Sequence, residues 1–174
     1  MGHANKDEFL VVHIAVLTVS DTRTPDDDRS GDILARRLEK AGHTLAARDI
    51  VKDETADISK KFTDWADDPA IDVIIATGGT GLTGRDVTPE ALAAVQDKDI
   101  PGFGELFRMV SYEKIKTSTM QSRACAGVVG GTYVFALPGS PGACKDAWDE
   151  ILVHQLDIRT RPCNFVEMIP RLKE

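Results

Sequence analysis

Three runs of this chain leave almost no place for a polar side chain on either face: Val11–Val19 (VVHIAVLTV), Ile71–Thr77 (IDVIIAT) and Thr132–Leu137 (TYVFAL). A strand with one wet face alternates apolar and polar residues. A run that is apolar at nearly every position needs cover on both sides, as in a parallel sheet flanked by helices. The intervening segments supply those helices. Ile33, Leu34, Leu38 and Ala41 share one helical face, with Ser30 placed to cap its start and Gly42 its end. Leu45–Val51 reads as a weaker strand. Ile58, Phe62, Trp65 and Ala66 mark a second helix, and Thr88–Pro89 opens a third with threonine at N-cap. Pro101–Ile115 carries Phe103, Leu106, Phe107 and Val110 inward, and a last helix runs to about Leu156 with Cys144, Ala147, Trp148, Ile151 and Leu152 inward. Thr117–Gly131 has no clear period. Strand and helix alternate, so the expected fold is α/β, with a mostly parallel sheet and helices on both faces.

The 174 residues suit a single domain, residues 1–174, with a loose N-terminus over 1–9 and an irregular tail over 157–174. The apolar tail segment Pro162–Ile169 could pack on a neighbouring chain or on its own core. The formal charge of −7 argues against a dedicated nucleic-acid binder. No apolar run reaches the roughly 18 residues that span a bilayer, and the start MGHANKDEF has no signal-peptide core. Cys125, Cys144 and Cys163 form no C-x-x-C pair, and the four histidines lack metal-ligand spacing. A cytoplasmic protein with free thiols is expected.

In a sheet of this kind ligands sit beyond the C-terminal ends of the strands. Four loops follow strands directly: SDTR, VKDE, TGGTG and PGSPG. Thr77-Gly78-Gly79-Thr80-Gly81 is the sharpest signal, because glycines let the backbone turn with positive φ and aim successive N–H groups at one anion. A tight strand-to-helix turn would use the same residues. The loop has no Walker lysine and no G-x-G-x-x-G spacing. Asp86 reads either as an oxygen ligand for Mg2+ or as a charge favouring a helix N-terminus. Asp53 reads as a second ligand or as a solvated loop charge. Their convergence at neighbouring strand ends, more than either residue, points to a metal–phosphate site. Ser140, Ser122 and Arg123 are candidate anion contacts; Asp26–Asp28 reads as a solvated acidic loop.

Taken in order, IAVLTVSD, the Ser30–Gly31 helix start, VKDE, TGGTG with RDVTPEAL, PGFGELFR, TSTMQSRA and FALPGSPGAC resemble the molybdenum-cofactor biosynthesis proteins of the MoaB/MogA type, relatives of the G domains of plant Cnx and of gephyrin. The likeness covers roughly residues 12–150, and the ending RTRPCNF is closer to the MoaB branch. The resemblance implies a three-layer α/β/α sandwich of the molybdopterin-binding, MogA-like kind. It implies adenylation of molybdopterin with Mg-ATP, giving adenylylated molybdopterin and pyrophosphate. Asp53 and Asp86 would be the catalytic, Mg2+-holding pair. Gly78, Gly79, Thr80 and Gly81 would bind phosphate, and Ser20, Asp21, Ser118 and Ser140 would line the pocket. It further implies a homotrimer or homohexamer and a molybdate-inserting partner protein. A non-catalytic molybdopterin-binding protein of the same pathway stays open as the alternative.

Overall fold

The computed structural model describes residues 8–174. Most of the N-terminal stretch expected to be loose, residues 1–7, lies outside them. Six strands form one sheet: β1 (His13–Val19), β2 (Thr44–Val51), β3 (Val73–Thr77), β4 (Lys98–Asp99), β5 (Cys125–Val129) and β6 (Thr132–Leu137), in the order β2-β1-β3-β6-β5-β4. β2, β1, β3 and β6 run parallel, and β5 and β4 add an antiparallel edge. The helices are α1 (Arg29–Lys40), α2 (Thr55–Ala66), α3 (Thr88–Ala93), α4 (Pro101–Ile115) and α5 (Pro141–Ala147). α5 continues through a π-helical stretch, Trp148–Leu152, into the short α6 (Val153–Gln155).

The apolar strands are buried on both faces, and the alternation along β3 shows how. Val73 and Ile75 join a core with Leu34, Leu38, Phe107, Phe135 and Trp148, from α1, α4, β6 and the π-helical stretch. Ile74 and Ala76 join a second core with Ile58, Phe62, Ala91 and Leu92, from α2 and α3. This is the expected three-layer sandwich. Pairing between β1 and β2 slips by one residue between Ile14 and Ala15, so β2 carries a bulge.

Several local expectations are corrected. Asp28 rather than Ser30 caps α1, accepting the Gly31 N–H at 2.9 Å. Ser30 instead donates its hydroxyl to the Gly139 carbonyl at 2.8 Å. Thr88 does not cap α3; its hydroxyl donates to the Gly78 carbonyl at 2.8 Å. Phe103 and Phe107 are buried on α4 and Val110 packs against the same core, but Leu106, at the margin of that stripe, is exposed. The aperiodic stretch 117–131 contains a 3-10 helix (Lys116–Gln121) and β5. β5 turns into β6 on Gly130 and Gly131, with φ of 55° and 85°. A two-residue hairpin of type I′ needs that sign at both positions.

The tail folds back on its own core. Ile158, Asn164 and Val166 are buried. The Phe165 ring packs 4.7 Å from Tyr133 and 5.6 Å from Phe135, centre to centre, and Tyr133 donates its hydroxyl to the Phe165 carbonyl at 3.1 Å. A 3-10 helix, Val166–Arg171, follows. Phe165→Ala should therefore lower unfolding stability by about 2 kcal/mol, below the range for a fully enclosed phenylalanine because the ring is only partly covered. Urea denaturation checks this, and an unchanged midpoint would mean the tail does not close the core.

Candidate functional site

The strand order reverses beside β1: β2 lies on one side, β3 and then β6 on the other. A crevice is expected where connections diverge in this way. The loops after β1, β2, β3 and β6 meet there around a cleft of about 440 Å3. A separate depression of about 550 Å3 lies beside the ends of β1 and β2 and shares Ser20 and Arg23 with it. The smaller cleft holds both the glycine loop and the two candidate carboxylates and is therefore the candidate site.

Gly78 and Gly79 have φ of 108° and 67°. A Cβ on Gly78 would stand 2.1 Å from the Val19 carbonyl oxygen, so only glycine can follow β3 so closely against β1. The Gly78 N–H donates to Leu137, while the Gly78 and Gly79 carbonyls accept from the hydroxyl and N–H of Thr88. The carbonyls are thus tied down on the α3 side. Among the described residues the N–H groups of Gly79 and Thr80 have no protein acceptor. That arrangement suits an anion held by backbone donors.

Asp53 and Asp86 both bear on this loop. A Cβ on Gly79 would lie 3.1 Å from Asp53 Oδ1, and one on Gly81 would lie 2.9 Å from Asp86 Oδ2. Their electrostatics differ. Burial pushes the Asp53 carboxyl above its usual range, and the carboxylates of Asp21 and Asp86 add to the effect. The Thr83 hydroxyl (2.6 Å) holds the Asp86 carboxyl below its usual range, helped by the N–H groups of Thr83 (2.8 Å) and Gly81. Two crowded carboxylates beside a set of N–H donors fit a hard divalent cation that also touches phosphate. Among the described residues no three His, Cys, Asp or Glu side chains are arranged around one ion. A cation here would take its remaining ligands from phosphate oxygens and water, the usual habit of Mg2+.

The other predicted residues divide. Ser20 and Thr80 line the cleft. Ser20 Oγ accepts the N–H groups of Thr22 and Arg23, which shapes the loop after β1. Asp21 lines the neighbouring depression and is paired with Arg85. Ser140 caps α5, accepting the Ala143 N–H at 3.2 Å, while Gly139 and Pro141 beside it line the cleft. Ser118 is exposed on the 3-10 helix after α4 and does not line the cleft. Arg123 braces the loop from behind: it donates to the carbonyls of Gly81 and Asp86, both at 2.7 Å, and pairs with Glu90. Cys144 sits behind Thr77, where burial pushes its thiol up and away from the reactive thiolate.

Sequence reasoning missed Asp28. It lines the cleft but is almost wholly buried, accepting from Thr18 Oγ1 at 2.8 Å and Arg48 Nη2 at 2.9 Å. Its three-residue spacing to Gly31 was the available signal; the two aspartates before it masked that spacing. Arg29, the first residue of α1, also lines the cleft and was not singled out.

The raised Asp53 carboxyl carries a sign that can be tested. Above both its folded and unfolded pKa the charged form is disfavoured by the fold. Below both, the two states bind the proton equally and the effect vanishes. Asp53→Asn should therefore raise the thermal unfolding midpoint at pH 7, with the gain shrinking to nothing below the ordinary carboxylate range. Calorimetry across pH checks this, and an Asn variant less stable at pH 7 would contradict it.

Comparison with known proteins places the chain in a family. The family model described as "Probable molybdopterin binding domain" matches residues 15–158. The Molybdenum cofactor biosynthesis protein B of Escherichia coli (strain K12) is 49% identical over 158 residues, covering 91% of this chain and 93% of that protein. A crystal structure of a Molybdenum cofactor biosynthesis protein B superposes with a TM-score of 0.82 at 43% identity, covering 84% of this chain and 92% of that one. The tungsten cofactor synthesizing protein MoaB of Pyrococcus furiosus superposes with a TM-score of 0.77 at 30% identity, covering 94% and 98%. The chain belongs to the molybdopterin-binding-domain family of molybdenum cofactor biosynthesis proteins.

Proposed function

We propose that this protein acts in molybdenum cofactor biosynthesis by adenylating molybdopterin with Mg-ATP, releasing pyrophosphate. One observation carries the reading: two carboxylates of unlike electrostatic state bear on a single glycine loop with free N–H donors, at the reversal point of the sheet. The terminal phosphate of molybdopterin attacks the α-phosphate of ATP, forming the new P–O bond as the bond to pyrophosphate breaks. Repulsion between the two anions is the main obstacle. Asp53 and Asp86 would hold Mg2+, which supplies positive charge where the phosphates meet. The Gly79 and Thr80 N–H groups are already oriented, so they can stabilise developing charge without rearranging. No general base is needed, because a phosphate oxygen is the nucleophile.

The variant Asp86→Asn should keep most of its ATP affinity and lose turnover by on the order of a hundredfold or more. The measurement is formation of adenylylated molybdopterin from purified protein, molybdopterin, ATP and Mg2+. Full activity in the variant would remove Asp86 from the chemistry. Ligand binding without product in the unaltered protein would assign it the non-catalytic, molybdopterin-binding role.

The reading includes a homotrimer or homohexamer, transfer of the product to a molybdate-inserting partner, and a place in the cytoplasm. No helix among the described residues is long and apolar enough to cross a membrane. The outer face of α4 supports self-association: Leu106, Met109, Tyr112 and Ile115 are exposed there, with Met120 just beyond. An apolar surface of this kind marks a contact site. Sedimentation should give a trimer or hexamer that Met109→Asp dissociates; a monomeric unaltered protein would overturn this part.

A further inference from the structure

Arg85 directly precedes Asp86, yet its side chain reaches the loops after β1 and β2. Nε and Nη2 donate to Asp21 Oδ2 and Oδ1 at 3.0 and 2.9 Å, and Nη1 donates to Glu54 Oε1 at 2.9 Å. Asp21 Oδ1 also accepts the Asp53 N–H at 3.2 Å. One guanidinium therefore links the loops that carry Asp53 and Asp86. The three paired side chains are 38–54% exposed, and ion pairs so exposed contribute little to stability. Simple stapling is a poor reason for a forked, three-bond clasp at this place.

Beside Asp53 and Asp86, the carboxylates of Asp21 and Glu54 meet at this junction, and Arg85 engages both of these, which do not bear on the glycine loop. We propose that Arg85 is a positioning residue that keeps Asp21 and Glu54 off the cation, so that a divalent ion meets only Asp53 and Asp86. The proposal rests on the metal reading of those two residues given above. Its physical sense lies in the charge left for substrate. Two carboxylates neutralise a divalent ion only once, leaving open positions for phosphate oxygens. Four would over-neutralise it and fill those positions. With Arg85 the five side chains sum to −3; with glutamine in its place they sum to −4.

The test uses the full chain, with Mn2+ as the probe and free Mn2+ read by electron paramagnetic resonance. Arg85→Gln should bind Mn2+ on the order of tenfold more tightly than the unaltered protein, while its KM for ATP rises. Arg85→Lys keeps the charge without the fork, so it should also bind Mn2+ more tightly than the unaltered protein; an unchanged affinity would mean that Arg85 acts through net charge alone, and the positioning role would be wrong. If Arg85→Gln binds Mn2+ no more tightly, or more weakly, Arg85 only ties the loops together and the proposal is wrong. If the unaltered protein shows no Mn2+ site that Asp86→Asn removes, the metal reading and this proposal fall together. Tighter Mn2+ binding by Arg85→Gln, with no adenylylated product from either protein, would overturn the adenylation reading and leave the role of Arg85 standing.

Discussion

β3 is hydrogen-bonded to a parallel strand on each edge and covered by helices on each face, and all five of its residues are buried. A strand held in this way cannot slip by one residue without exchanging the two cores, since its side chains alternate between them. The position of Thr77 is therefore fixed by packing far from the cleft, and Gly78 must turn at once under the Val19 carbonyl. The glycine loop inherits its precision from that strand. Thr88 and Arg123 then hold its carbonyl side, leaving the N–H groups of the cleft-lining Gly79 and Thr80 without a protein acceptor among the described residues.

An acidic protein that is to bind anions needs its positive potential concentrated. Here it comes from backbone N–H groups, from cleft-lining Arg23 and Arg29, and from a cation on Asp53 and Asp86 in the proposed reading. The pairing of buried Asp28 with the more exposed Arg48 serves a different end. It joins α1 to β2 and takes the Thr18 hydroxyl, so the floor of the cleft is tied across three elements. Such a pair is weak evidence for net stability, but removing Arg48 would leave the buried Asp28 carboxylate without its cation, at high cost.

The layers, the four loop positions and the helix bounds of α4 were legible in the sequence because each rests on a local period or a local residue type. So was the convergence of Asp53 and Asp86, which follows from strand direction once the sheet is parallel. What escaped depends on contacts distant in sequence. Nothing near Asp28 announces that Arg48, twenty residues on, will neutralise it. Ser30 has the chemistry of a cap, but the helix starts earlier, with Asp28 as its cap, and Ser30 in the first turn is left free for Gly139, more than a hundred residues away. Thr88 was diverted likewise by Gly78. Ser118 falls in a stretch whose likeness to relatives gave a role that its exposed place away from the cleft does not support. The Gly130–Gly131 pair was a readable hairpin signal, hidden by the weak period of the small residues before it.

The bulge in β2 bears on how such apolar strands survive at high concentration. Sheets have two free edges, and a flat edge recruits other chains into stacked, fibril-like assemblies. One edge here is β2, bulged beside Ile14 and carrying Arg48 and Asp49. The other is β4, two exposed residues long and both charged. The chain therefore shelters its most aggregation-prone sequence in the middle of the sheet and offers newcomers only borders on which a further strand cannot register.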